Sequence, residues 1–395
     1  MKIALCGHFL FQLAVGLREY TEHYVHLFLD SKTLPNCLAD EPLLSEPSFV
    51  HIAPWVTYRE ILFPRRAKLT ELLSDFDIAI TTDLGPIFAS AANVDFVIIP
   101  SGSDLTQWPF PIRSRSLRTR GVAELVFEAL IAFRLRGGIR RALSVWSDGF
   151  SRFPDPLARL GRSLGGYLSW PIDTETFTPE SASPTKVDDQ EVITIFHPTR
   201  MMFTPDPFLI ESMGWKRNDL LFQGFAMALR RGVKARLVLI SRGGSPDEDK
   251  ARRLLEDLGV VECVDWLTAE NREGFTWREV ARLYRTSDLV VDEFGGCLGL
   301  VALEGASCGK PVLNFLNPPV EEDIAEFVYP TGHPFLQAES AEGVYEAIAM
   351  LTNHELRESI GRASRRWVLD YHDRSVVARR CESMIKELLS DRNDH

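Results

Sequence analysis

Glu304 is flanked by the apolar residues Leu300, Val301, Leu303 and Ala306 in a run with helical spacing. A carboxylate in such surroundings is costly unless it meets a partner or a ligand. Just before it, Gly295, Gly296 and Gly299 follow an apolar run that ends at Val291, and glycines there let the backbone turn sharply and come close to another group. Residues 287–315 therefore read as strand, glycine-rich turn, helix, small-residue turn and strand. Gly309, Lys310 and Pro311 end the helix ahead of the apolar run 312–315. A glycine turn feeding a helix N-terminus after a strand is where open α/β sheets bind anionic ligands. The same turn also serves as a purely structural corner, so the spacing by itself leaves both readings open.

The elements that would position such a site come from the rest of the chain. At 395 residues it is too long for one ordinary core, and two domains of roughly 150–200 residues are expected. Hydrophobic content of 45% and charged content of 25% are those of a soluble globular protein. A net charge of −11 argues against a general nucleic-acid binder, whose footprint is basic. The six cysteines are scattered, with no C-x-x-C and no histidine pair at zinc spacing, as in a reduced, cytoplasmic chain with free thiols. Gly7, His8 and Gln12 interrupt the apolar run 3–17, which favours a first strand and helix over a signal peptide. No run of about 18 apolar residues exists to span a membrane.

Strand-like runs at 2–6, 50–53, 78–81, 96–100 and 143–146 alternate with helical patterns. Gly7 is expected to turn the first strand into a helix that runs on through 18–29. Residues 35–47, rich in proline and acid, read as a surface loop, and residues 181–189, rich in Ser, Pro, Thr and Asp, as the linker. The alternation restarts at 192–197 and continues to the end. The expected fold is α/β, with two doubly wound Rossmann-like domains facing across a cleft that receives both sets of strand C-termini. The expected boundaries are 1–170, a junction at 171–190, 191–372, and a C-terminal helix at 373–395 that packs back on the first domain. Residues 112–141 depart from the pattern. Arg113, Arg115, Arg118, Arg120, Arg134, Arg136, Arg140 and Arg141 face only Glu124 and Glu128 around an apolar helical middle. Such a stretch reads either as a solvated helix with a basic flank or as a peripheral contact with an anionic membrane surface or ligand.

Four segments resemble a known family. PIDTETFTP (171–179) is similar to its "NGVDxxxFxP" junction, and HPTR (197–200) followed by Lys216 to its "GRxxxxKG". GLVALEGASCGKPVL (299–313) resembles "GLxxLEAMAxGxPVV", and LRESIGRASRRWVLDYHDRS (356–375) the C-terminal "LxxxMGxxARxxVxxxFS". Together, in family order, they resemble the donor-binding half of the retaining two-domain (GT-B) nucleotide-sugar glycosyltransferases of family GT4. Asp173 in the junction is expected at the hinge.

The resemblance implies transfer of a sugar from a nucleotide-diphosphate sugar to an acceptor hydroxyl through an oxocarbenium-like transition state. Negative charge builds on the departing diphosphate, and by resemblance Arg200 and Lys216 grip it, one as a planar fork and one as a point charge. Glu304 would bind the ribose hydroxyls. Gly296, Leu298, Gly299 and Leu300 would form the donor cradle, with backbone N–H groups of the last three as donors. The family carries a second glutamate eight positions before Glu304, where this chain has Gly296. Asp292 or Glu293 is expected to stand in for it. With two cations for the diphosphate and no paired aspartates in metal-ligand surroundings, neither metal nor cofactor is expected. Front-face attack by the acceptor is the implied mechanism.

The remaining candidates keep two readings each. His197 either contacts donor or acceptor or is a buried strand-end histidine. Gly7 and His8 after the first strand, and Gly102, Ser103 and Asp104 after the 96–100 strand, are acceptor- or sugar-side candidates. His8 could equally pack in its turn, and Asp104 could be only a helix N-cap. The implied partners are the nucleotide-sugar donor and a glycan, lipid-linked or small-molecule acceptor. A nucleotide-sugar epimerase or phosphorylase on the same scaffold, or a catalytically silent homologue, are the alternatives. The nucleotide base, the sugar and the acceptor stay open.

Overall fold

In the computed structural model, which describes residues 1–110, 121–148, 153–180, 192–211, 214–242, 245–269, 274–316 and 332–393, the short apolar runs become strands of two parallel sheets. The first sheet contains β1 (Lys2–Cys6), β2 (Tyr24–Asp30), β3 (Val50–Ala53), β4 (Ile78–Thr81), β5 (Asp95–Ile98), β6 (Ser144–Ser147) and β7 (Gly166–Tyr167). Its order is β3-β2-β1-β4-β5-β6-β7. The second contains β8 (Ile193–His197), β9 (Ala235–Ile240), β10 (Val264–Leu267), β11 (Leu289–Val291), β12 (Val312–Asn314) and β13 (Leu336–Gln337), in the order β10-β9-β8-β11-β12-β13. β4, β6, β11 and β12 are buried along their whole length, as expected for parallel strands covered by helices on both faces.

The chain divides into two units, Met1–Pro171 together with Arg374–His395, and Ile172–Asp373. In the first, the C-terminal helix Arg374–Asn393 lies along the helix Phe11–Tyr20. In the second, the helix Asn218–Arg230 packs on Ala341–Met350, and Leu221, Phe222 and Phe225 enter a core shared with Ile195, Leu237 and Leu289.

Each sheet reverses its winding once. In the first the order turns between β1 and β4, and in the second between β8 and β11. Such a reversal opens a crevice at the strand C-termini, the standard ligand position of doubly wound sheets. One expected element differs. The helix after Gly7 stops at Tyr20 rather than running through 18–29, and Tyr24–Asp30 is strand β2. Thr21 is extended and ends the helix, and YVHLFLD then pairs with β1 and β3, which bury Val25, Leu27, Phe28 and Leu29. The 35–47 loop carries two short 3-10 turns. The expected linker at 181–189 and the arginine-rich positions 112–120 lie outside the described residues.

Candidate functional site

At the reversal point of the second unit, His197 ends β8 fully buried. Its Nδ1–H donates to the carbonyl of Val291 at the end of β11, 2.8 Å away, and its Nε2 accepts from Asn218 Nδ2, also at 2.8 Å. Burial pushes the ring down to about 4, so it stays neutral. With both nitrogens committed, His197 ties the two strands at the crevice and has none left for donor or acceptor. Asn218, itself fully buried, extends this bracing: its Oδ1 accepts from Met202 N at 2.8 Å and its Nδ2 reaches the carbonyl of Arg200. The loop carrying Arg200 is thus fixed from beneath. Arg200 is exposed at its top.

The two acids after β11 have different jobs. Asp292 is buried, and its carboxylate accepts from Gly299 N at 2.9 Å and from Thr199 Oγ1 at 3.4 Å. Because Gly299 is the N-cap, its bond holds the N-terminus of the helix Leu300–Ser307. Burial raises its carboxyl against the pull of Lys216. A Cβ on Gly299 would come 2.5 Å from this carboxylate, which is why glycine stands there. Of the three backbone donors expected in the cradle, Gly299 N is therefore taken by the protein itself. Glu293 instead pairs with Lys216, whose Nζ meets Glu293 Oε2 with both side chains largely buried. Phe294 N donates to the Lys216 carbonyl at 3.0 Å, so the two segments are joined by backbone as well. Burial lowers the Lys216 ammonium, Asp292 raises it, and Arg200 and Arg242 lower it further.

Glu304, on the helix Leu300–Ser307, accepts from the hydroxyl of fully buried Tyr284 at 2.8 Å. Burial raises its carboxyl to about 7, opposed by the Tyr284 hydrogen bond and by Arg242. Arg242 was not legible as a site residue, yet its charge reaches His197, Lys216, Tyr284 and Glu304. The signal available was positional: it follows a strand at its C-terminal end, as Arg200 does. Gly296 has φ 95° and bridges to Leu316. Leu298 is buried and Leu300 partly exposed. Lys216, Arg200, Arg242, Glu293 and Glu304 thus gather around the β8–β11 crevice as three cations and two carboxylates.

Among solved structures, the chain resembles Anabaena Alr3699/HepE in complex with UDP and glucose, with a TM-score of 0.65 and 15% identity over 98% of this chain and 100% of that one. It also resembles the sucrose-phosphate synthase of Thermosynechococcus elongatus, with a TM-score of 0.62 and 14% identity over 99% and 100%. The fold is GT-B. By sequence, 147 residues are 29% identical to the D-inositol 3-phosphate glycosyltransferase of Corynebacterium jeikeium, covering 36% of this chain and 33% of that protein. A stretch of 123 residues is 32% identical to the enzyme of the same name from Actinosynnema mirum, covering 28% of each. The chain spans about a third of the length of the curated relatives it matches. No family model matches it.

The first GT-B sheet has its own reversal point. Gly7, with φ 124°, follows β1 so closely beside Thr82 that a Cβ would lie 2.1 Å from the threonine methyl. The His8 ring lies 4.2 Å from that of Phe9, tilted by 35°, and burial holds it below the usual histidine range. Asp104 is buried, and its carboxylate accepts from the backbone N–H groups of Asp83, Ser101 and Gly102 at 2.9–3.0 Å. It clasps the loop after β5 to the loop after β4, and Gly102, not Asp104, occupies the N-cap of the helix Ser103–Thr106. Burial and the neighbouring Asp83 raise it to about 6. Asp83, absent from the sequence reading, has left-handed backbone at φ 54° and accepts from Ser101 Oγ at 2.9 Å. Like Asp292, it is an acid just past a strand end. Among the described residues no group of three or more His, Cys, Asp or Glu side chains is arranged to hold a metal.

Proposed function

We propose that the protein is a retaining glycosyltransferase that moves a sugar from a nucleoside-diphosphate sugar to an acceptor hydroxyl, with the second unit holding the donor. The observation that carries this reading is the convergence of Lys216, Arg200, Arg242, Glu293 and Glu304 at the C-terminal ends of β8 and β11. A related fold bound to UDP and glucose supports UDP as the first nucleotide to test, and the names of the curated relatives support glycosyl transfer.

In this reading Lys216 and Arg200 neutralise the diphosphate as the anomeric C–O bond breaks, the step where charge develops most. Glu304 accepts from the ribose hydroxyls. Glu293 turns towards the donor sugar in place of the carboxylate that Gly296 lacks. The acceptor oxygen bonds to the anomeric carbon on the face the phosphate leaves, and its proton passes to the departing phosphate. The cations supply the neutralisation, so turnover is expected to survive EDTA. The acceptor belongs to the first unit.

A second reading, a nucleotide-binding but silent homologue, is favoured by one observation: Gly296 replaces the family's glutamate while Glu293 is engaged by Lys216. Calorimetric titration with UDP, followed by UDP release from a panel of UDP-sugars, separates the two. Binding and release that both disappear in Lys216→Ala and Glu304→Ala are expected. Binding without release would leave the silent reading, and no binding of any nucleoside diphosphate would overturn both.

A further inference from the structure

The first unit exposes apolar side chains in a concentrated patch. The helix Tyr58–Leu62 and the turn Pro64–Arg66 leave Tyr58, Leu62 and Phe63 exposed. The neighbouring helix Val122–Arg141 leaves Val122, Val126 and Phe133 exposed, and across the six residues exposure runs from 45 to 78%. Positions 122, 126 and 133 fall on one stripe of a helix, because offsets of four and eleven residues return nearly to the same angle. The two helices are contiguous: the Tyr58 ring lies 3.9 Å from that of Phe127, and Arg134 donates to the carbonyl of Leu62.

The charge around this patch is opposite to that of the chain. Within YREILFPRRAK, residues 58–68, Arg59, Arg65, Arg66 and Lys68 are all exposed against the single acid Glu60, in a protein of net charge −11. Arg66 lies over the Phe63 ring, and Lys68 also meets Glu71. The arginines expected to form the basic surface of the longer helix do something else. Arg134, Arg140 and Arg141 donate to the carbonyls of Leu62, Leu160 and Ser90, which anchors the helix to its own unit, while Arg136 donates to Ala132 within the helix.

From these observations we infer that the surface formed by 58–68 and the exposed stripe of Val122–Arg141 docks on an anionic lipid bilayer. Exposed aromatic and aliphatic side chains ringed by Arg and Lys suit the headgroup boundary, where the rings enter and the cations meet lipid phosphates. A symmetric pairing of two copies through the same face would set the basic patch of Arg59, Arg65 and Arg66 against its copy, a like-charge juxtaposition that opposes association. Among the described residues no helix is long and apolar enough to cross a membrane, so the contact is peripheral. It requires neither donor nor turnover and stands or falls apart from the proposed activity.

The test is co-sedimentation of the full chain with vesicles of phosphatidylcholine alone and with about one phosphatidylglycerol in three lipids, at low and high salt, since salt screens this attraction. Binding to the anionic vesicles only, weakened by salt, is expected. At about 1 kcal/mol per basic residue near the surface, Arg65→Gln with Arg66→Gln should weaken partitioning roughly thirtyfold. Phe63→Ser with Phe133→Ser should weaken it at least about tenfold by removing buried ring area. Circular dichroism confirms that each variant is folded. Equal binding to both vesicles, binding to neither, or a dimer in light scattering that the phenylalanine variant dissociates would each overturn the inference.

Discussion

Replacing Glu304 by glutamine tests whether this carboxyl is as constrained as its surroundings imply. Burial lifts it from 4.5 to about 7, so ionising it in the fold costs about 3 kcal/mol more than in the unfolded chain. Below 4.5 the group is protonated in both states and contributes no slope. Between 4.5 and about 7 the unfolded chain releases the proton while the fold keeps it, so wild-type stability falls as pH rises and levels off above. Glutamine still offers an oxygen to the Tyr284 hydroxyl but never ionises. Relative to wild type, Glu304→Gln should therefore gain about 3 kcal/mol between pH about 4 and pH about 8. Urea unfolding of both proteins at the two pH values reads this directly, because all other titrating groups cancel in the difference. A difference constant to within about 1 kcal/mol would refute the account of the site. The same variant should bind UDP more weakly, by roughly tenfold to a hundredfold, because a charged acceptor is lost from the ribose. A stability gain at high pH with unchanged UDP affinity would keep the burial argument and sink the ribose assignment.

The two acids after β11 separate next. Asp292→Ala should lower stability by about 1–2 kcal/mol through loss of its bond to the Leu300–Ser307 helix terminus, read by thermal unfolding. Glu293→Gln should leave the fold standing and cut turnover more than about tenfold at little changed UDP affinity, and equal turnover loss in both variants would refute this division. Gly296→Glu places the glutamate of the resembled GT4 pattern at a backbone with φ 95°. It should cost about 1–2 kcal/mol without raising turnover, and a gain in turnover would show that Glu293 is not the substitute.

What the sequence made legible were the features written in local pattern. Strand runs, the helix start at Leu300 and the glycine turn before Glu304 follow from apolar spacing and backbone freedom. β2 was misread because residues 21–23, which separate it from the helix, include neither Gly nor Pro to mark the break, and only pairing with β1 and β3 decides it. The setting of a side chain was legible where its neighbours are local, as for Glu304 among Leu300, Val301, Leu303 and Ala306. It was not legible where the role depends on what the other side of a side chain meets. His197 has ligand chemistry, but Val291 and Asn218 consume it. Asp104 has the look of an N-cap, yet its carboxylate closes a loop through three backbone N–H groups. Arg242 and Asp83 stand outside any motif, and the fold alone brings each to the reversal point of its own sheet.

The pairing of Lys216 with Glu293 connects the sequence's departure from the GT4 pattern it resembles to the chemistry proposed for it. Burial favours the neutral form of Lys216, and a neutral amine could not offset a diphosphate. The nearby charge of Asp292 opposes that loss, and the Glu293 carboxylate is held against the ammonium. In the proposed reaction a diphosphate would compete for the same ammonium with two negative groups where Glu293 offers one, so the lysine would transfer and the glutamate would be released. The released carboxylate lies three residues before the position at which the family carries its sugar-binding acid. Gly296, in a conformation that disfavours any side chain, could not have presented one there. One residue would then serve in turn as the counter-ion of the empty site and as the sugar's partner in the filled one, which is why removing it should affect turnover more than donor affinity.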